Sequence, residues 1–270
     1  MNKINYRYAF FLLPVIFVVL IVCFACSSGK SDTSGKVTPK KETTKKAAQT
    51  ETAVTTKTPP TLHIVEPTEE ETTSDGKLHY TEDEYRKLID FDAPLPFLIR
   101  VNKVLNRTMI YGLNKSGDYT IPYKLLLCST GLYDGNTPVG SYTISDKYEW
   151  RNMIDGSYAQ YAIRIYDHIM LHSVPYYKMD NSTLEVDEFN KLGERASLGC
   201  VRYNVKDIKW IYDNCPVGTV VEVYADENEE YPLVEPEKYT ATSEGKYAGW
   251  DPTDPNPNNP YLKKKSRNKE

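Results

Sequence analysis

Between Phe97 and Tyr224 the chain alternates short apolar runs with polar turns. The runs are "FLIRV" (97–101), "TMIYG" (108–112), "YKLLLCS" (123–129), "GSYTIS" (140–145), "YAIRIY" (161–166), "HIMLH" (168–172) and "TVVEVY" (219–224). Turn residues separate them: "NKSGD" (114–118), "DGNTPVG" (134–140) and Asp167. Short β-branched and aromatic runs at this spacing predict an assembly of β-sheets. One helix interrupts them. Asn204 is placed to cap it, Asp207 falls at its third position, and Val205, Ile208, Ile211 and Tyr212 form an apolar stripe that "NCPVGT" (214–219) ends. A shorter helix is expected upstream, where "TEDE" (81–84) has capping-box spacing ahead of Tyr85, Leu88 and Ile89.

The flanks have a different texture. In residues 1–29, Lys3 and Arg7 precede an uncharged run with an apolar core at Ala9 to Ala25. A positive flank before an apolar core indicates export or membrane insertion, and the core is near the lower limit for spanning a bilayer. Ala25-Cys26 followed by Ser-Ser-Gly resembles a bacterial lipoprotein processing site, which makes Cys26 a lipidation candidate. Cys23 stands where such sites usually carry an aliphatic residue, and an uncleaved anchor is the alternative. Either outcome tethers the rest of the chain outside the membrane. Residues 30–76 are rich in Thr, Ser, Lys, Glu and Pro without periodicity. Such a stretch buries too little apolar surface to offset its ordering entropy and reads as a disordered linker. Residues 77–96 form a helical lead-in, 97–225 the folded unit, and 226–270 a Pro/Asn-rich and charged extension. Trp250 and Tyr261 are the extension's candidates for packing back; a loose tail is the other reading.

Composition narrows the function. A net charge of -4 over 270 residues, with no dense basic stretch, argues against a nucleic-acid partner. The 22 tyrosines would suit a cleft for sugars or peptides, but strand preference is the simpler account of them. Of five cysteines, Cys23 and Cys26 belong to the targeting segment. Cys128, Cys200 and Cys215 remain, so at least one is unpaired within the chain. Outside the cell, a free thiol is expected to be buried or to work.

The segment "ASLGCVRYN" (196–204) holds the informative cysteine. No metal is expected there: His168 and His172 would share one side of a strand, but no CxxC pair or HExxH helix accompanies them. Cys128 and Cys215 either pair, leaving Cys200 free, or are two separate buried thiols. As a nucleophile Cys200 needs a base, because an ordinary thiol is mostly protonated at neutral pH. Of the four histidines, His63 and His79 lie in or beside the linker. His172, at the end of an apolar run, is the candidate base; a core histidine satisfied by backbone is the bland reading. Gly199 would let backbone amides approach an oxyanion. Arg202 would grip a substrate carboxylate or brace the loop, and Ser197 reads as a loop organiser.

At these residues the sequence resembles the L,D-transpeptidase catalytic domain (YkuD-like) family. The matching positions are His172-Ser173, Ser197-Leu198-Gly199-Cys200 and Arg202. "CSTG" (128–131), "TPVGSYTI" (137–144) and "GTVVEVY" (218–224) add to them, so the likeness covers 98–224. Leu198 stands where the family signature has histidine. The spacing from His172 to Cys200 is longer than usual, and 176–196 reads as an inserted lid or substrate wall with Tyr176, Tyr177 and Phe189 available for contacts.

The resemblance implies a mainly β, sandwich or barrel-like catalytic domain with one or two short helices. It implies Cys200 as nucleophile and His172 as general base and acid. Gly199, Leu198, Ser173 and Ser197 would shape the site or its oxyanion hole, and Arg202, Tyr176 and Tyr177 would bind substrate. It further implies no cofactor, peptidoglycan stem peptides as partners, inhibition by carbapenems, and a place outside the cytoplasmic membrane facing the cell wall. The expected reaction is cross-linking through a thioester with release of D-Ala. The alternatives are L,D-carboxypeptidase action, a sortase-like anchoring transpeptidase (sortases carry Thr-Leu-x-Thr-Cys where this chain has Ser-Leu-Gly-Cys), and a non-catalytic wall-binding lipoprotein.

Overall fold

The computed structural model describes residues 82–262. The targeting segment with Cys26, the linker 30–76 and Thr81 lie outside the described residues. Among the described residues no helix is long and apolar enough to cross a membrane.

The fold is mainly β, with two sheets and a few short helices. Helix α1 (Glu82–Leu88) leads into the first sheet, built from β1 (Phe97–Asn102), β2 (Arg107–Leu113), β3 (Tyr119–Leu127), β4 (Gly140–Thr143) and β9 (Val220–Tyr224). Its order is β3-β2-β1-β9-β4, with β1 and β9 parallel and the other pairs antiparallel. The second sheet holds β5 (Asp146–Asn152), β6 (Tyr158–Tyr166), β7 (Ile169–Ser173) and β8 (Val201–Tyr203), in that order; only β7 and β8 are parallel. Helix α2 (Val186–Asn190) precedes β8, and α3 (Val205–Asn214) follows it and packs on β6 and β7.

The sequence accounts for most of this. Strand β1 sits centrally and is buried on both faces at Leu98, Ile99 and Val101, so it reads as an unbroken apolar run. Strand β3 begins at Tyr119, earlier than the expected 123, because it accommodates Pro122 at the sheet edge beside a register shift near Tyr111. Two strands escape the hydrophobic pattern. β5, "DKYEWRN", is a polar edge strand, and β8 has three residues with Arg202 in the middle. Helix α3 forms as expected: Asn204 Oδ1 accepts from the Asp207 amide at 2.9 Å, and Val205, Ile208 and Ile211 are buried.

The extension beyond 225 is ordered as a strap through residue 262. Asp251 is fully buried, and its carboxylate accepts from the Val205 amide, at the start of α3, at 2.7 Å. The Asn190 side chain bonds both backbone groups of Ala241. Tyr261 stacks on Tyr247 with centroids 4.4 Å apart, and Trp250 is half-buried.

The stretch 176–196 is anchored in the core at Tyr176, Leu184, Phe189 and Leu192. Tyr176 and Phe189 are fully buried with Leu184, Leu192 and Val205, and Tyr176 packs edge-on against Trp150. Exposing either ring would forfeit about 2–3 kcal/mol of burial. The substrate-contact expectation for Tyr176 and Phe189 is therefore corrected. Tyr177, the next residue, points to solvent and lines a separate depression with Lys178 and Thr183, away from the cysteine.

Candidate active site

Strand β8 begins one residue after Cys200, and its register on β7 pairs Leu171 with Val201 and His172 with Arg202. Neighbouring parallel strands in register send paired side chains to one face. Cys200, Arg202 and His172 thus share a face. All three residues line one small cleft of about 40 Å³, together with Asp155, Ser157, Ser197 and Leu198.

The loop before β8 is held from two sides by the segments resembling "CSTG" and "TPVG". Ser129 and Arg202 exchange both backbone hydrogen bonds at 2.9 and 2.8 Å, and the Ala196 and Ser197 amides donate to the Thr130 carbonyl. Thr130 is in turn fixed by Asn106, whose side chain accepts from both its amide and its hydroxyl. Thr137 accepts from the Gly131 amide and donates to the Gly199 carbonyl at 2.8 Å. These two motifs are a scaffold for the cysteine loop.

Ser197 is the loop organiser: its hydroxyl donates to the Cys200 carbonyl at 2.6 Å and accepts from the Gly199 amide at 3.0 Å. That second bond commits the Gly199 amide to Ser197, so this amide does not face an oxyanion. The glycine is needed for shape. Its φ is +146°, and a Cβ there would lie 2.9 Å from Ile169 Cδ1. Gly199→Ala is expected to strain the loop by about 1–3 kcal/mol and to lower kcat/KM by about 10- to 100-fold through misplacement of Cys200. Melting curves and acylation kinetics on the same preparation check both.

His172 is 2% exposed. Its Nδ1 lies 2.5 Å from the Ser173 carbonyl. A carbonyl only accepts, so Nδ1 carries the hydrogen and Nε2 keeps its lone pair. Burial, reinforced by the nearby Arg202 cation, lowers the His172 pKa to about 4. The imidazole is neutral at pH 7. Ser173 serves through this carbonyl; its hydroxyl is buried, accepting from the Gln160 amide and donating to the Val174 carbonyl, and does not reach the cleft.

Cys200 is the half-buried thiol, whereas Cys128 and Cys215 are buried and unbridged. Burial pushes those two up to about 12. Burial also raises the Cys200 thiol, offset in part by the Met170 amide and Arg202. Its sulfur donates to the His168 carbonyl at 3.6 Å, so the thiol hydrogen must leave that carbonyl to meet His172.

Arg202 is 8% exposed and braced: Nη1 pairs with Glu188 of α2 at 2.5 Å. Its Nε is buried and has no hydrogen-bond partner among the described residues. Leu198 is exposed at the rim.

The sequence reading missed the β5–β6 hairpin tip. Met153, Ile154, Asp155 and Ser157 roof the cleft, and Asp155 accepts from the Ser157 amide and hydroxyl. The Asp155-Gly156 pair is a hairpin signal, but nothing local ties it to a cysteine 45 residues on. His168 lies in the β6–β7 turn beside Asp167, outside the strand that holds His172. Among the described residues no three His, Cys, Asp or Glu side chains cluster as a metal site.

Residues 96–223 match the family model of the YkuD L,D-transpeptidase catalytic domain. A Bacillus subtilis (strain 168) protein, YciB, described as a candidate L,D-transpeptidase, is 33% identical over 116 residues, which is 40% of this chain and 58% of that relative. The chain thus spans less than two thirds of that relative's length. Among solved structures, an L,D-transpeptidase from Mycobacterium smegmatis is similar at 18% identity and a TM-score of 0.40, over 48% of this chain and 59% of its own. One from Mycobacterium tuberculosis H37Rv is similar at 21% identity and a TM-score of 0.36, over 48% and 58%.

Proposed function

We propose, from the match of residues 96–223 to the YkuD L,D-transpeptidase catalytic domain, that this chain cross-links peptidoglycan through a thioester on Cys200, with His172 as general base and then acid. The observation that carries the proposal is the shared cleft: one accessible thiol and one neutral imidazole with a free Nε2 line the same cavity.

The steps follow from that pair. His172 Nε2 takes the thiol proton as sulfur attacks the carbonyl of the stem peptide's diamino acid. The carbon–nitrogen bond to D-Ala then breaks, and the imidazolium returns the proton to the departing amine. An amine of a second stem attacks the thioester, the carbon–sulfur bond breaks, and His172 passes the amine's proton to the sulfur. Arg202, braced by Glu188, forms part of the cleft wall beside the pair. The basic-then-apolar segment 1–29 and the linker support placing the domain outside the cytoplasmic membrane, tethered by a lipid on Cys26 or by the segment itself, where its polymer substrate is concentrated. Wall-derived stem peptides incubated with the protein test the function. Cross-linked dimer plus free D-Ala is the expected product, tripeptide alone means hydrolysis, and turnover of a sorting-motif peptide instead contradicts the proposal.

The resting pair is neutral: burial holds the thiol above and the imidazole below its ordinary range. Alkylation of Cys200 by a small neutral reagent is therefore expected to rise with pH through 9 without the acid-side plateau of a thiolate–imidazolium pair. Acylation needs the imidazole unprotonated, which holds above about pH 4, so kcat/KM is expected to persist at pH 5. A pH series with iodoacetamide and with donor peptide checks both limbs.

A further inference from the structure

Cys200 forms part of the wall of a second cavity, distinct from the His172 cleft. That cavity measures about 380 Å³, and Arg151, Arg164, His168, Met153 and Met170 line it. No carboxylate lines it. Arg164 is partly neutralised by Asp146 at 3.4 Å, and it also donates to the Asp167 carbonyl. Arg151 is exposed on the edge strand β5, lies over the Tyr148 ring at 4.8 Å, and has no ion pair among the described residues. The sulfur therefore stands between a narrow cleft that holds the base and a wide cavity that is cationic.

The chemistry assigns the two sides. The departing amine must receive its proton from His172, and the incoming amine must give one up there, so both lie toward the narrow cleft. The acyl part of the donor, retained on sulfur, is left the wide side. We infer that Arg151, with Arg164 behind it, holds a carboxylate carried by the acyl part of the donor peptide, so that the protein selects donors whose carboxylates are free over donors in which they are amidated. This inference rests on the function proposed above. The carboxylate has two possible sources, the side chain of the diamino acid or the acidic residue before it.

The test measures thioester formation on the whole protein by intact mass, under kcat/KM conditions. The donors are one stem peptide with both carboxylates free and two peptides singly amidated at one position or the other. The proteins are wild type, Arg151→Gln and Arg151→Lys; Arg164 is left intact because of its structural ion pair. For one of the two positions, amidation alone and Arg151→Gln alone are each expected to lower kcat/KM by about 5- to 20-fold, the range for a charge-assisted bond at a partly exposed site. Together they lower it no further, and Arg151→Lys recovers part of the loss. The position that shows this non-additivity identifies the source. Wild-type indifference to both amidations, or effects of substitution and amidation that multiply at both positions, overturns the inference while leaving Cys200 acylation standing. Absence of thioester with every donor overturns the proposed function and this inference with it.

Discussion

Cys200→Ala is expected to abolish peptide transfer, lowering turnover by at least about 10⁴-fold, the scale seen when a covalent nucleophile is removed. The reason is the division of labour among the three thiols. Cys128 and Cys215 are fully buried, with pKa values near 12, and have neither a thiolate population nor a route to substrate. Cys200 opens on two cavities and shares one with His172. Cys128→Ala and Cys215→Ala should therefore keep full activity per folded molecule, at a cost in stability. His172→Gln should lose about 10²–10⁴-fold, because proton transfer in both directions is removed while the sulfur remains. Release of D-Ala from a stem peptide, normalised to folded protein by circular dichroism, separates the variants. Turnover in Cys200→Ala within about 100-fold of wild type refutes the covalent route.

The second large effect concerns stability and comes from the strap. Asp251→Ala is expected to cost about 2–3 kcal/mol, because the buried Val205 amide loses its acceptor. For a domain of this size that is a fall in Tm of about 5–10 °C. The pH dependence has a definite sign. Burial raises the Asp251 pKa from 3.8 to about 6. A carboxyl whose folded pKa is raised contributes most below its unfolded pKa, and that contribution is lost as pH rises through about 6. The gap between wild type and Asp251→Ala should thus be wider at pH 4.5 than at pH 8, which paired thermal melts measure. Asp251 also acts close to β8: Val205 opens the helix that follows β8 after Asn204, so a loosened strap should raise hydrogen exchange at 201–205 before the first sheet responds.

These two effects differ in how far they could be read from the chain. Cys200, His172 and the capping of α3 by Asn204 are local statements: one thiol beside a glycine, one histidine at the end of an apolar run, one polar residue before an amphipathic stripe. Local statements survive folding. The role of Asp251 is not local, since its partner lies 46 residues earlier and its Pro/Asn-rich surroundings look like solvent-exposed chain. The same holds for the 176–196 segment. Its tyrosines and Phe189 signal apolar contact, but whether the contact is with a ligand or with the protein depends on Trp150 and Val205, which only the fold brings near. Arg202 shows both limits at once: the guanidinium was legible as a carboxylate binder, and the carboxylate braced against it proved to be Glu188. The cationic cavity was invisible because Arg151 lies on an edge strand without an apolar pattern and Arg164 lies one hairpin further on.

The most direct measurement is mass spectrometry with peptide mapping after brief exposure to a donor stem peptide, and in parallel to a carbapenem. The account predicts one covalent adduct per chain, located on the peptide containing position 200, formed at least 100-fold more slowly in His172→Gln. An adduct on the peptide containing Cys128 or Cys215, or one formed at position 200 at the same rate without the imidazole, would contradict it.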